Sequence, residues 1–277
     1  MNASGLLLGA LLWACAAMSA NAAASHDGEQ LGPLSLGLSA ETPSGSPSSE
    51  APQQLAALEK TFESQGAQRT YYEFAPALTA EHAAPLLVVL HGSGGRGNGI
   101  IKPWLALAAQ QEFVIVAPNS TDIRFWKLHD DSPAMFRDLV LAVAAAHAID
   151  TRRIYLFGQS AGAVYALTLS ALESEFFAAT AIHAGAWRER REFEALRFAK
   201  RKIPIAIFVG NRDPFFSVGS VRQTEAALKQ AGHPVLITII ARHDHDYLDV
   251  ADQVNPAAWD FMQGVSLPGN ARFQEYE

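Results

Sequence analysis

Arg153-Ile154-Tyr155-Leu156-Phe157-Gly158-Gln159-Ser160-Ala161-Gly162 passes from residues of strand character, through a Gly-x-Ser-x-Gly turn, into the apolar segment Ala161 to Ser174, which has helical period. A strand that turns sharply into a helix at this motif lifts a serine hydroxyl to the end of a sheet. The turn holds Ser160 in a strained backbone conformation, and Gly158 and Gly162 let the neighbouring backbone pass without a Cβ clash. The hydroxyl then sits at a helix N-terminus, where the dipole favours developing negative charge, and the Ala161 N–H is a candidate oxyanion donor. The plainer alternative is a glycine-rich turn with an idle serine.

Working outward, strands alternate with helices. Thr70–Phe74, Pro85–Leu90, Phe113–Ala117, Phe177–Ile182, Pro204–Val209 and Val235–Ala241 read as further strands, several of them continuous apolar runs of the kind buried on both faces. Ile101–Gln110, Ala134–His147, Val221–Gln230 and Pro256–Met262 have helical period. This alternation predicts a mostly parallel sheet with helices on both faces. In such sheets ligands bind beyond the carboxyl ends of the strands, so chemistry is sought in the residues that follow each strand.

Three other strand ends carry candidates. Pro85–Leu90 is followed by His91-Gly92-Ser93-Gly94-Gly95, a loop suited to supplying a second oxyanion donor. The Ser93 N–H is the expected donor, Gly92 the near alternative, and His91 is read as a structural residue. No Walker or dinucleotide-binding pattern supports a phosphate loop here. Pro204–Val209 leads to Gly210-Asn211-Arg212-Asp213-Pro214, which places Asp213 to orient an imidazole, although an aspartate is also a common turn residue. Val235–Ala241 leads to Arg242-His243-Asp244-His245-Asp246-Tyr247, where either His243 or His245 is placed to serve as base. The order serine, aspartate, histidine is the one this strand arrangement requires. A zinc reading of His-Asp-His-Asp breaks at Tyr247 and Leu248, and no metal or other cofactor is expected.

The totals narrow the function classes. The 277 residues are 49% hydrophobic and 18% charged, ordinary for a globular protein, and the net charge of −7 argues against a nucleic-acid partner. The basic stretch Arg188 to Lys202 is interleaved with glutamates and reads as a solvated helix face. The sole cysteine, Cys15, lies in the apolar run Gly5–Met18, so no disulfide or cysteine nucleophile is available elsewhere. That run and the small residues after it predict a signal peptide over residues 1–24, cleaved after Ala22 or Ala24, although no Lys or Arg precedes it. An uncleaved anchor and a lipid attachment at Cys15 are the competing readings; stable membrane insertion after cleavage is not expected. Residues 25–54 are rich in Ser, Gly, Pro and Glu and predict a disordered spacer, leaving residues 55–277 as the folded domain.

Taken together, the segments HGSGG, GQSAG, GNRDP and HDHDY resemble α/β-hydrolases of the polyhydroxybutyrate-depolymerase and feruloyl-esterase-like branch, over most of Arg69 to about Val265. The approach to the serine, Ala148 to Tyr155, is similar to that group's entry to the nucleophile turn. The resemblance implies the α/β-hydrolase fold, a cofactor-free secreted or periplasmic serine esterase, and His245, followed by Asp246-Tyr247, as base, with His243 flanking the pocket. It departs from the family where Ser93 stands in place of a loop cysteine and the family's cysteine pair is missing, which leaves subfamily and substrate open. Trp126, Phe215, Phe216 and Trp187 are candidate pocket residues, equally readable as core or rim packing. The short interval from Ala184 to Pro204 has room for a helix, Glu192–Lys200, but no large lid, which predicts an open site. The expected substrate is a small or oligomeric ester. A peptidase or amidase on the same residues, and an exported binding protein that kept the fold, are the competing functions.

Overall fold

The computed structural model describes residues 55–77 and 83–274; the expected signal peptide, Cys15 and the spacer lie outside the described residues. The described residues fall within one compact unit, Pro52–Glu277. Eight strands, β1 (Leu58–Ser64), β2 (Ala67–Phe74), β3 (Ala84–Leu90), β4 (Val114–Pro118), β5 (Ile149–Gln159), β6 (Ala179–His183), β7 (Ile205–Gly210) and β8 (Val235–Ile240), form one sheet in the order β1-β2-β4-β3-β5-β6-β7-β8. The pairs β1–β2 and β2–β4 are antiparallel and all others are parallel.

Helices α1 (Gly97–Ile100), α2 (Leu105–Gln110), α3 (Pro133–Ala146), α4 (Ala161–Leu172), α5 (Arg190–Glu194), α6 (Val218–Gln230) and α7 (Ala251–Gln263) connect them. This is the mostly parallel sheet covered on both faces that the alternation of elements predicts.

The central strand shows why the apolar runs read as they do. Every residue of β3 is buried; Leu86, Val88 and Leu90 enter one core cluster, and Leu87 and Val89 the other. The period of two along a strand sends alternate side chains to opposite faces, so a strand covered on both sides must be apolar throughout. The first cluster holds residues of α3, α4 and α6; the second holds Trp104, Trp259 and the apolar stripe of α7. Each fully buried Leu, Val or Phe contributes about 1.5–3 kcal/mol by leaving water.

Some boundaries differ from the expectation. Strand β1 is absent from it because LEKTFES is polar at most positions and buries only Phe62 and Ser64. It forms a hairpin with β2 through Gln65 and Gly66, whose positive φ angles of 53° and 74° suit a tight two-residue turn. The segment expected as one helix, Ile101–Gln110, is broken into a 3-10 turn at Lys102–Trp104, which contains Pro103, followed by α2. Pro256 was the natural place to begin the last helix, yet α7 starts at Ala251; Pro256 is exposed there, so the missing hydrogen bond lies on the solvent side. The expected helix Glu192–Lys200 is α5 followed by a 3-10 turn over Ala195–Phe198. Among the described residues no helix is long and apolar enough to cross a membrane.

The end of α4 carries a buried acid. Glu173 is 1% exposed; its Oε2 accepts the Gln274 N–H, and its Oε1 has no partner among the described residues. Burial pushes its carboxyl up to about 7, against the lowering effects of the Gln274 N–H, Lys200 and Arg137. The folded state therefore holds this proton more tightly than the unfolded chain does. Its contribution is complete below the unfolded carboxyl range near 4.5 and is lost as pH rises through about 7. Glu173→Gln is expected to remove up to about 3 kcal/mol of this pH dependence, an upper figure from burial and linkage. Urea unfolding of both proteins at pH 5 and pH 8 checks it: the variant should gain relative to the parent at pH 8, and an equal difference at both pH values would contradict the assignment.

Candidate active site

The four loops at the carboxyl ends of β3, β5, β7 and β8 meet around Ser160. Gln159 ends β5 and Ala161 begins α4, so the chain must reverse direction at one residue. It does so with Ser160 at φ 54°, ψ −117°, a conformation costing on the order of 1–3 kcal/mol for a residue with a Cβ. The Ser160 N–H donates to the His183 carbonyl at the end of β6 at 3.0 Å, which holds the turn in register with its neighbouring strand. The flanking glycines are required by contact: a Cβ on Gly158 would stand 2.3 Å from the Gly162 carbonyl oxygen, and one on Gly162 would stand 2.3 Å from that of Leu90.

Beside this turn lies the loop after β3. Gly92 packs so closely that a Cβ there would fall 2.1 Å from the Gln159 Oε1. Gly94, at φ 77°, donates its N–H to Ile123, and the Gly95 N–H donates to the Gly92 carbonyl at 3.0 Å. Neither the Ser93 nor the Ala161 N–H takes a hydrogen-bond partner among the described residues. His91 is buried beneath the loop. Its Nε2 accepts the Ser120 backbone N–H at 3.2 Å, which leaves Nδ1–H to donate to the Gly92 carbonyl at 2.8 Å. Burial lowers the His91 pKa, in keeping with a neutral ring in this role.

Asp213 follows β7 on a short turn. Its side chain is fully buried: Oδ1 accepts the N–H groups of Phe215 and Phe216, each at 2.8 Å, and Oδ2 accepts the Nδ1–H of His245 at 2.8 Å. From the loop after β8, His245 turns its Nε2 to the Ser160 hydroxyl at 2.8 Å. The two loops are locked together: the Arg212 N–H donates to the His243 carbonyl at 2.9 Å, and a Cβ on Gly210 would stand 2.2 Å from that oxygen. Arg242, at φ 62°, turns the chain after β8, with its N–H donated to the Asn211 side chain at 2.7 Å. The result is an unbroken chain of hydrogen bonds, Ser160 to His245 to Asp213, across loops that are far apart in sequence.

This chain opens into a cleft of about 560 Å³ lined by Gly92, Arg96, Ile100, Phe215, His245 and Leu248, among others. Phe215 stands exposed over His245, with ring centroids 4.8 Å apart, and Phe216 stacks on His245 at 5.9 Å. Between β6 and β7 lie only α5 and the 3-10 turn, short elements that form no large lid. Among the described residues no group of three or more His, Cys, Asp or Glu side chains is arranged to hold a metal ion.

Four expected pocket residues lie outside the cleft lining, Phe216 among them, buried where its ring stacks on His245. Trp126 is buried; its Nε1–H donates to the His91 carbonyl at 2.9 Å, and its ring packs among His91, Phe136 and Tyr165. It braces the loop after β3 from below and does not line the cleft. Trp187 is fully buried against Phe193, with its Nε1–H donated to Thr168. His243 is 7% exposed and faces His183 beneath the loop that bears His245 instead of flanking the pocket. In each case an apolar ring or imidazole next to a strand end is drawn inward because the layer under the loops must be filled. Ile100, Arg96, Leu248 and His183 were not anticipated. Ile100 and Leu248 carry no motif, and only the loop closure brings them to the same wall.

A serine on a strained strand-to-helix turn, beneath a glycine-rich loop and in line with His245 and Asp213, defines the class of α/β-hydrolase-fold proteins. The sequence model of the Dienelactone hydrolase family matches residues 79–260, and the chain belongs to that family. No curated protein matches the sequence. The fold is similar to that of a thermostable esterase at 22% identity and TM-score 0.61, covering 76% of this chain and 63% of the esterase. It is also similar to a ferulic acid esterase from Anaeromyces mucronatus, solved with ferulic acid, at 15% identity and TM-score 0.59, over 76% of this chain and 90% of that one. An acylaminoacyl peptidase from Pyrococcus horikoshii aligns at 14% identity and TM-score 0.62, over 79% of this chain and 43% of the peptidase.

Proposed function

We propose that the protein is an exported serine esterase of the polyhydroxybutyrate-depolymerase and feruloyl-esterase-like branch, with Ser160 as nucleophile, His245 as base and Asp213 as the orienting acid. The observation that carries the reading is the pair of 2.8 Å contacts from His245, to Ser160 on one side and Asp213 on the other, at the mouth of an apolar cleft. His245 takes the Ser160 proton as Oγ attacks the ester carbonyl, and Asp213 holds Nδ1–H so that Nε2 remains the acceptor. The Ser93 and Ala161 N–H groups receive the oxyanion. His245 then returns the proton to the departing alcohol, and water, activated by the same imidazole, releases the acid. Ile100, Phe215 and Leu248 favour an ester with an apolar portion, and the absence of a large lid among the described residues admits oligomers. Export rests on the apolar run Gly5–Met18 and the small residues after it.

Incubation with a fluorophosphonate probe, followed by peptide mapping, tests the reading. A single adduct on Ser160, together with hydrolysis of p-nitrophenyl acetate, is expected. A folded protein that takes no label would favour the non-catalytic alternative, and turnover of anilides faster than matched esters would favour an amidase.

A further inference from the structure

His183, the last residue of β6, touches both halves of the proposed relay. Its carbonyl accepts the Ser160 N–H at 3.0 Å, and its imidazole Nε2 lies 3.1 Å from the Nε2 of His243, two residues before His245. Both rings are buried. Two facing imidazole nitrogens form a hydrogen bond only when one carries a proton and the other does not. The His183 Nδ1 is buried without a partner among the described residues. A buried N–H left unpaired is rarer than an acceptor left unpaired, which favours the tautomer with the proton on Nε2, donated to His243. Burial, reinforced by His243 and His245, pushes the His183 pKa down to about 3, in keeping with a neutral ring.

The segment that bears His245 is also tied to the loop after β7, by the Arg212 N–H on the His243 carbonyl and the Arg242 N–H on the Asn211 side chain. Asp244 and Asp246 only accept N–H groups within the loop itself. Beyond the base, Tyr247 packs its ring against His183 at 5.6 Å and Phe157 at 5.5 Å, and donates its hydroxyl to Asn255. The loop is thus held two residues before and two residues after His245, and His183 contributes to both holds while its backbone fixes Ser160.

We propose that His183 is a positioning residue for the hydrolytic reaction: its imidazole, donating to His243, sets the base loop against the nucleophile turn. It touches neither substrate nor reacting atoms, and it acts on the distance between Ser160 Oγ and His245 Nε2. This inference rests on the serine-hydrolase reading above. A misplacement of about 1 Å in such a relay costs on the order of 100-fold in rate.

The test compares His183→Leu, which removes the donor, with His183→Gln, whose amide N–H reaches the same point. His183→Leu is expected to lower kcat for p-nitrophenyl acetate by roughly 10- to 100-fold with KM within about twofold, and His183→Gln to recover most of it. Adding His243→Leu to His183→Leu should cost little further, since both remove one interaction. Hydrogen exchange of the base-loop amides supplies a readout independent of turnover: faster exchange in His183→Leu, with parental protection in His183→Gln. Unchanged protection in His183→Leu, or equal loss of kcat in both His183 variants, would overturn the inference. Failure of the parent to take the fluorophosphonate label would instead remove the hydrolase reading on which it rests.

Discussion

Ser160→Ala is expected to lower kcat for p-nitrophenyl acetate by about five to six powers of ten and to abolish fluorophosphonate labelling, with the fold intact. The size follows from the relay. Without Oγ, His245 has no proton to take and no covalent intermediate forms, so only the oxyanion donors and the cleft remain, enough for a residual acceleration of about a thousandfold over water. Alanine keeps the Cβ and therefore the strained backbone at φ 54°, so the variant isolates chemistry from conformation. Thermal unfolding close to that of the parent confirms that comparison. A folded Ser160→Ala protein retaining more than about a hundredth of the parental kcat would place the nucleophile elsewhere.

Asp213→Asn should cost about four powers of ten in kcat while leaving KM and the backbone nearly unchanged. The reason lies in the three hydrogen bonds around the carboxylate. Its Oδ1 accepts two backbone N–H groups, from Phe215 and Phe216, and an amide NH2 placed there would face both donors. The asparagine must therefore keep its oxygen on that side and turn its NH2 toward His245 Nδ1, where the carboxylate now accepts at 2.8 Å. An imidazole that accepts at Nδ1 carries its proton on Nε2 and cannot take one from Ser160. Steady-state kinetics on the variant check the size of the loss, and a loss below tenfold would mean that Asp213 serves only its turn. Because the wrong tautomer, not a broken loop, is the cause, the cleft should still bind a competitive inhibitor with parental affinity.

The sheet was legible wherever strands are buried on both faces, because burial on two sides demands an unbroken apolar run, as in β3, β4 and β7. It was not legible at the edge, where β1 is mostly exposed and only Phe62 and Ser64 face inward. The serine, aspartate and histidine candidates were readable because each follows a strand, and the sheet's direction brings those ends together. Aromatic residues near the same strand ends were not separable into wall and core. Trp126 and Phe215 both lie in loops that follow strands, yet one is buried under His91 and the other stands over His245.

The choice between the two histidines after β8 shows where local information stops. Residue order and strand ends limit the base to His243 or His245, both within five residues of the end of β8, and only the family resemblance selects His245. What separates them is the direction each side chain takes once Arg242 turns the chain at positive φ and the Arg212 N–H captures the His243 carbonyl. These contacts aim His245 at Ser160 and bury His243 against His183. The apolar and glycine pattern alone determined that this chain folds as a mostly parallel α/β sheet with the candidate residues just past its strand ends, since burial and backbone sterics act on every residue locally. The course of the loop that carries His245 to Ser160, the placement of Trp126 beneath the loop after β3 and the shape of the cleft needed tertiary structure, because each depends on loops whose course is set by residues distant in the chain.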